Sequence, residues 1–175
     1  TLIGSRAGDA LTTGSSNVAV GKNALGSEDA HGRNVAIGRG TLATQDAGTD
    51  AYSVAVGYNA GNDITTGTEN TIIGGEAGDA LTTGAQNVVV GRGALGSEDA
   101  HGKVVAIGYA ALNAQNAGAD SYNVAVGYNA GLSVTTGIRN TIMGGLAGDA
   151  LTTGGSNVAI GYGALHTEDT GGRNI

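Results

Sequence analysis

Short apolar runs, each closed by a glycine, recur along the whole chain, and their spacing predicts its architecture. The closing glycines are Gly4, Gly21, Gly38, Gly57, Gly74, Gly91, Gly108, Gly127, Gly144 and Gly161, so the steps are 17, 17, 19, 17, 17, 17, 19, 17 and 17 residues. The preceding three positions read Val-Ala-Val at 18–20 and 54–56, Val-Ala-Ile at 35–37, Thr-Ile-Ile at 71–73, Val-Val-Val at 88–90 and Thr-Ile-Met at 141–143. Runs this short and this rich in β-branched residues read as strands, and a fixed period of this length is the signature of a solenoid with one strand per coil. We expect an all-β fold, a parallel β-solenoid (β-roll) of ten 17–19-residue coils. Stacked at about 4.8 Å, its strands form a sheet about 43 Å long whose internal edges are all paired.

Four steps make a superrepeat of 70 residues, visible in AGDALTTG at 7–14, 77–84 and 147–154 and in ALGSEDAHG at 24–32 and 94–102. Residues 1–175 therefore read as a single repeat array. Thr1 is in phase with Thr71 and Thr141, and Ile175 with Val35 and Val105. Both ends fall inside a repeat, which predicts a window of a longer fibre.

Strand side chains alternate, so the first and third positions of each run share one face and the middle position takes the other. A sheet wetted on one side would be polar at the middle position. Here that position is apolar throughout, including Ala19, Ala36, Ala55, Val89, Ala106, Ala125 and Ala159. With the first and third positions assigned to the core of the chain, these seven are expected to face another chain, their small side chains permitting close approach.

Beyond the glycine the coils fall into two kinds. The fourth residue on is aliphatic in Leu25, Leu42, Leu95, Leu112 and Leu165, and the seventh is then polar: Glu28, Gln45, Glu98, Gln115 and Glu168. In the other coils the fourth residue is Gly8, Gly61, Gly78, Gly131 or Gly148, and the aliphatic moves to Leu11, Ile64, Leu81, Val134 or Leu151. Positions four and seven have opposite parity on a regular strand. The expectation is that the extra glycine turns the chain with φ > 0 so that the later residue reaches the same pocket.

Composition narrows the possibilities. The chain carries 34 Gly and no Pro, Cys, Trp or Phe, far from average globular usage. Without Cys, a disulfide framework and a thiolate metal site are excluded. A formal charge of −7, with acidic residues spread along the chain, repels a phosphate backbone, so no nucleic acid is expected as partner. No apolar stretch approaches the ~20 residues that cross a bilayer as a helix, and no membrane insertion is expected.

Candidate chemistry is sparse. Asn precedes the strand at Asn17, Asn34, Asn70, Asn87, Asn123, Asn140, Asn157 and Asn174, interrupted by Ser53 and Val104. This reads as a stacked ladder at a corner of the coil. Gly91, Gly93 and Gly96 match G-x-G-x-x-G, but no helix follows, and turn glycines explain them. Glu28, Asp29 and His31, repeated as Glu98, Asp99 and His101, are metal-ligand residue types. Their small, Gly-flanked surroundings read as a solvated loop; neither metal nor cofactor is expected. With three His and no paired nucleophile and base, no enzyme activity is expected. The residue after the repeat glycine gives a lateral column of Lys22, Arg39, Tyr58, Arg92, Tyr109, Tyr128 and Tyr162. It reads as an exposed stripe in which Arg lies on Tyr faces, and as the candidate binding surface for a glycan.

The coil NVAVGKNALGSEDAHGR and its relatives ending in TTG resemble the N-T-A-x-G repeats of phage tail-fibre-like proteins, and are similar to the S-V-A-I-G repeats in the heads of trimeric autotransporter adhesins. The 17-residue coil departs from the shorter coil of the adhesin heads. The resemblance implies a homotrimer and, from the adhesin heads, a left-handed roll. It further implies a structural shaft of an extracellular or virion fibre, either a tail fibre or a cell-surface adhesin, that attaches to a host glycan or receptor. The alternatives are a monomeric binding β-solenoid, glycan- or ice-binding, and a self-assembling surface filament. Thr pairs at 12–13, 65–66, 82–83, 135–136 and 152–153 favour an ice-binding face; the coils without them interrupt it.

Overall fold

The computed structural model describes residues 1–175. It is a parallel β-solenoid without helices: β1 (Leu2–Ile3), β2 (Val18–Val20), β3 (Val35–Ile37), β4 (Val54–Val56), β5 (Thr71–Ile73), β6 (Val88–Val90), β7 (Val105–Ile107), β8 (Val124–Val126), β9 (Thr141–Met143) and β10 (Val158–Ile160). They form one sheet in chain order, each parallel to the next, and equivalent positions are paired throughout, as in Val88↔Val105, Val89↔Ala106 and Val90↔Ile107. The 19-residue steps do not shift this register, since Val35 pairs with Val54 and Val105 with Val124. Two extra residues are absorbed between strands.

Of 97 backbone hydrogen bonds only 17 lie within the strands, so most of the stacking is done by the rest of the coil. Gly61 N–H donates to Ala77 O at 2.9 Å and Thr65 N–H to Thr82 O at 2.9 Å, each bond reaching the next coil. Ladder bonding of irregular segments is possible because successive coils repeat one backbone path.

The middle strand positions are the core. Ala19, Ala36, Ala55, Ile72, Val89, Ala106, Ala125 and Ile142 are fully buried within the single chain, and Ala159 nearly so. This corrects the expectation that Ala19, Ala36, Ala55, Val89, Ala106, Ala125 and Ala159 face another chain. Each coil has one strand of two or three residues, and the remaining residues wrap back over the face that carries the middle side chain. That leaves the first and third positions outside. Two apolar faces were read correctly from the sequence; their inner and outer assignment was reversed.

Both kinds of aliphatic reach that core. Leu25, Leu42, Leu95 and Leu112 are fully buried, as are Ile64, Leu81, Val134 and Leu151, while Leu11 and Leu165 in the end coils pack against them partly exposed. The fourth position has positive φ in both kinds of coil: 57° at Gly61 and 51° at Gly78, but also 51° at Leu25 and 50° at Leu112. The glycine is therefore not what turns the chain. A Cβ on Gly78 would stand 3.0 Å from Leu81 Cδ1, and one on Gly131 3.3 Å from Val134 Cγ2. The seventh side chain occupies the room that Leu takes in the other coils, so the exchange is made by side chains on one common backbone.

The Asn ladder forms at the corner before the strand. Asn140 Oδ1 accepts from Asn157 N–H at 2.9 Å, and Asn140 N–H donates to Asn123 Oδ1 at 2.8 Å. The Asn140 amide donates to Gly154 O at 2.9 Å, closing the coil. One side chain thus satisfies a buried donor above and a buried acceptor beside it, as burial requires. Ser53 keeps the ladder going, accepting from Asn70 N–H at 3.4 Å. Val104 interrupts it, and Asn123 N–H donates to Ser121 Oγ at 3.4 Å instead.

Candidate functional site: the lateral tyrosine groove

All seven residues of the lateral column, Lys22, Arg39, Tyr58, Arg92, Tyr109, Tyr128 and Tyr162, are exposed. Their position explains it: each follows the repeat glycine, where the chain leaves the strand and turns. At one end of the column the Arg39 guanidinium lies 5.4 Å from the centroid of the Tyr58 ring and donates to Tyr58 Oη at 3.0 Å. In the middle Tyr109 and Tyr128 stack with centroids 5.4 Å apart and planes 12° from parallel. Coil spacing sets this geometry, because consecutive coils bring equivalent side chains within the range in which aromatic pairs attract.

Beside the stacked pair runs an open groove of about 460 Å³, to which Glu76, Arg92, Tyr109, Asn113, Tyr128 and Asn129 contribute. Arg92 Nη2 lies 3.8 Å from Glu76 Oε2, so a cation and a carboxylate stand at one end. Asn113 is tied to the backbone, donating to Gly93 O at 2.7 Å. Asn129 Oδ1 is buried and has no hydrogen-bond partner. The groove thus pairs flat apolar rings with donors and acceptors of both charge signs, the combination that suits a polyhydroxylated ligand.

A second column went unnoticed in the sequence. Arg33 lies over Tyr52 at 5.2 Å and Lys103 over Tyr122 at 5.4 Å, and each cation also pairs with a carboxylate, Arg33 with Asp50 at 2.7 Å and Lys103 with Asp120. Its hydrogen bond to Asp120 pushes the Lys103 ammonium up and holds the Asp120 carboxyl down. The signal was present in the 70-residue spacing of Arg33 and Lys103, Asp50 and Asp120, and Tyr52 and Tyr122. These partners are 17 or 19 residues apart, and only the superrepeat marks them as sets.

The loop reading of Glu28 and Glu98 also needs correction. Both side chains are fully buried, as are Gln45 and Gln115 at the same place in the following coils. The seventh position points inward even where it is polar.

No protein family, no curated protein and no solved structure matches this chain.

Proposed function

We infer that the chain is a length-giving structural shaft of an extracellular or virion fibre, assembled from identical copies, with attachment to a host or surface as its purpose. The observation that carries this reading is the outer face of the sheet. Along all ten strands its two columns hold only Val, Ile, Thr and Met. Ile37, Ile73, Val88, Met143 and Ile160 are each exposed to water. The strip measures roughly 43 Å by 10 Å, on the order of 400 Å², without a charge.

A second copy is the occupant that fits best, because its strands present the same pitch, length and chemistry rung for rung. The strip supplies about half of the ~800 Å² per partner typical of a stable interface, and flanking coil surfaces supply the remainder. A trimer, with three strips around one axis, follows from the resemblance to tail-fibre and adhesin repeats. No helix is long and apolar enough to cross a membrane.

The mass of the chain in solution tests this. Sedimentation equilibrium should return about three times 16.9 kDa, and Val126→Asp, which places a charge on the outer face, should return the single-chain mass with the solenoid's circular dichroism retained. A wild-type chain that stays monomeric at micromolar concentration would overturn the assembly.

A monomeric or filamentous binding solenoid is the second reading, and the tyrosine groove is what favours it. There Tyr128→Ala should weaken binding on a glycan array several-fold without lowering the melting temperature. Unchanged glycan binding leaves the column a purely structural stripe. Ice binding is disfavoured, because Thr12, Thr65, Thr82, Thr135 and Thr152 each spend their hydroxyl on a carbonyl of the next coil.

A further inference from the structure

We propose that Glu28, His31 and Asp46, with Asp29 beside them, form a binding site for one divalent transition-metal ion of the Zn²⁺ type. A ligand atom from each of the four lies within 4.8 Å of those of the others. Glu28 is fully buried; its Oε1 accepts from His31 N–H at 3.1 Å, while Oε2 is buried with no partner. His31 Nδ1 also lacks a hydrogen-bond partner and stands 3.7 Å from Glu28 Oε1. A buried carboxylate oxygen and a ring nitrogen, both unpartnered and adjacent, are costly unless something binds them. Burial pushes the Glu28 carboxyl up, and the neighbouring Asp46 and Asp29 add to the effect.

The superrepeat supplies an internal comparison. Seventy residues on, Glu98, Asp99 and His101 recur, but Asn116 stands in place of Asp46. There Glu98 Oε2 is satisfied by the protein, accepting from Gln115 Nε2 at 3.2 Å and Ala117 N–H at 3.1 Å. In the first copy neither bond forms: the Gln45 amide donates to Gly67 O at 3.0 Å and Thr65 O at 3.4 Å instead. The first site has gained a carboxylate where the second has an amide, and it has lost both donors to the buried Glu. A cation answers both differences at once, neutralising the crowded carboxylates and giving Glu28 Oε2 a partner.

The donor set decides the kind of ion. One imidazole with carboxylates is a nitrogen and oxygen set that suits Zn²⁺ and its neighbours, whereas Ca²⁺ and Mg²⁺ take oxygen alone. Tetrahedral Zn²⁺ with bonds of about 2.0–2.1 Å needs ligand atoms about 3.4 Å apart. Side-chain rotations in His31 and Asp46 would draw the ligand atoms together, and both reach solvent. Their exposure also gives the ion a way in.

Calorimetric titration of the intact chain with ZnCl₂ tests the site. One Zn²⁺ per chain is expected, with a higher melting temperature in its presence. Asp46→Asn and His31→Gln should each weaken binding by at least about tenfold. Asn116→Asp should raise the stoichiometry toward two, because it converts the second copy to the first. Circular dichroism verifies that these substitutions leave the fold intact. Binding weaker than about 1 mM, or an affinity unchanged by Asp46→Asn, would overturn the proposal, leaving Glu28 simply protonated. Equal binding of Ca²⁺ that ignores His31→Gln would overturn the transition-metal assignment.

Discussion

Gly74→Ala lowers the stability of the solenoid by at least about 3 kcal/mol. Two independent effects combine. Gly74 sits at φ 138°, where a residue with a Cβ is strained. The added methyl carbon would also stand 2.6 Å from the carbonyl oxygen of Gly91 in the next coil. That carbonyl cannot retreat, because Gly91 N–H is itself held to Ile73 O at 2.7 Å in the sheet ladder. The repeat glycine is thus required by coil stacking, which explains why the ten recurrences tolerate no other residue while the next position varies freely. Gly75→Ala is the control one residue along: nothing lies within 4 Å of its Cβ, and φ there is ordinary. Its effect should stay within about 0.5 kcal/mol of zero. Urea denaturation midpoints distinguish the two, and similar midpoints for both variants would refute the stacking argument.

Much of the fold was legible because a solenoid writes its geometry into the sequence. The coil period, the strand positions, the parallel stacking and the Asn ladder each follow from residues repeating at 17 or 19. The face of the strand was not legible by the same route. A three-residue strand with Val-Ala-Val has apolar residues on both sides, and only the path of the remaining residues in the coil decides which side is enclosed. Ala19 and its equivalents share the enclosed side with Leu25 and Ile64 in one core cluster, a packing relation that sequence spacing does not encode. The buried Glu28 and Glu98 were missed for a related reason: ionisable side chains flanked by Gly and Ser suggest solvent, yet the αL residue at the fourth position turns the seventh inward whatever its polarity. The tyrosine column was visible, since a single exposed register position suffices to define it. Its groove needed the structure, because Glu76 and Asn129 stand two residues beyond their repeat glycines and Asn113 five, outside the register that defines the column.

The exchange between the two kinds of coil makes the sharpest energetic prediction. Gly78→Leu alone should destabilise by about 1–3 kcal/mol, because the new side chain enters the space of Leu81, whose Cδ1 lies 3.0 Å from the ideal Cβ. Leu81→Gln alone should cost about 2–5 kcal/mol by emptying the core and burying an amide. The backbone already suits the change, since Leu25, Leu42, Leu95 and Leu112 adopt φ of 48–51° at this place, matching 51° at Gly78. In the double variant the new Leu fills what Leu81 vacates, and the Gln arrives beside Glu98, where Gln115 already donates from the other side. The two substitutions should therefore couple favourably, the pair costing less than the sum of the singles by at least about 1 kcal/mol. A double-mutant cycle from urea unfolding measures this directly. Simple additivity would mean that the fourth and seventh side chains do not share a pocket, and the reading of one backbone with two interchangeable fillings would fail.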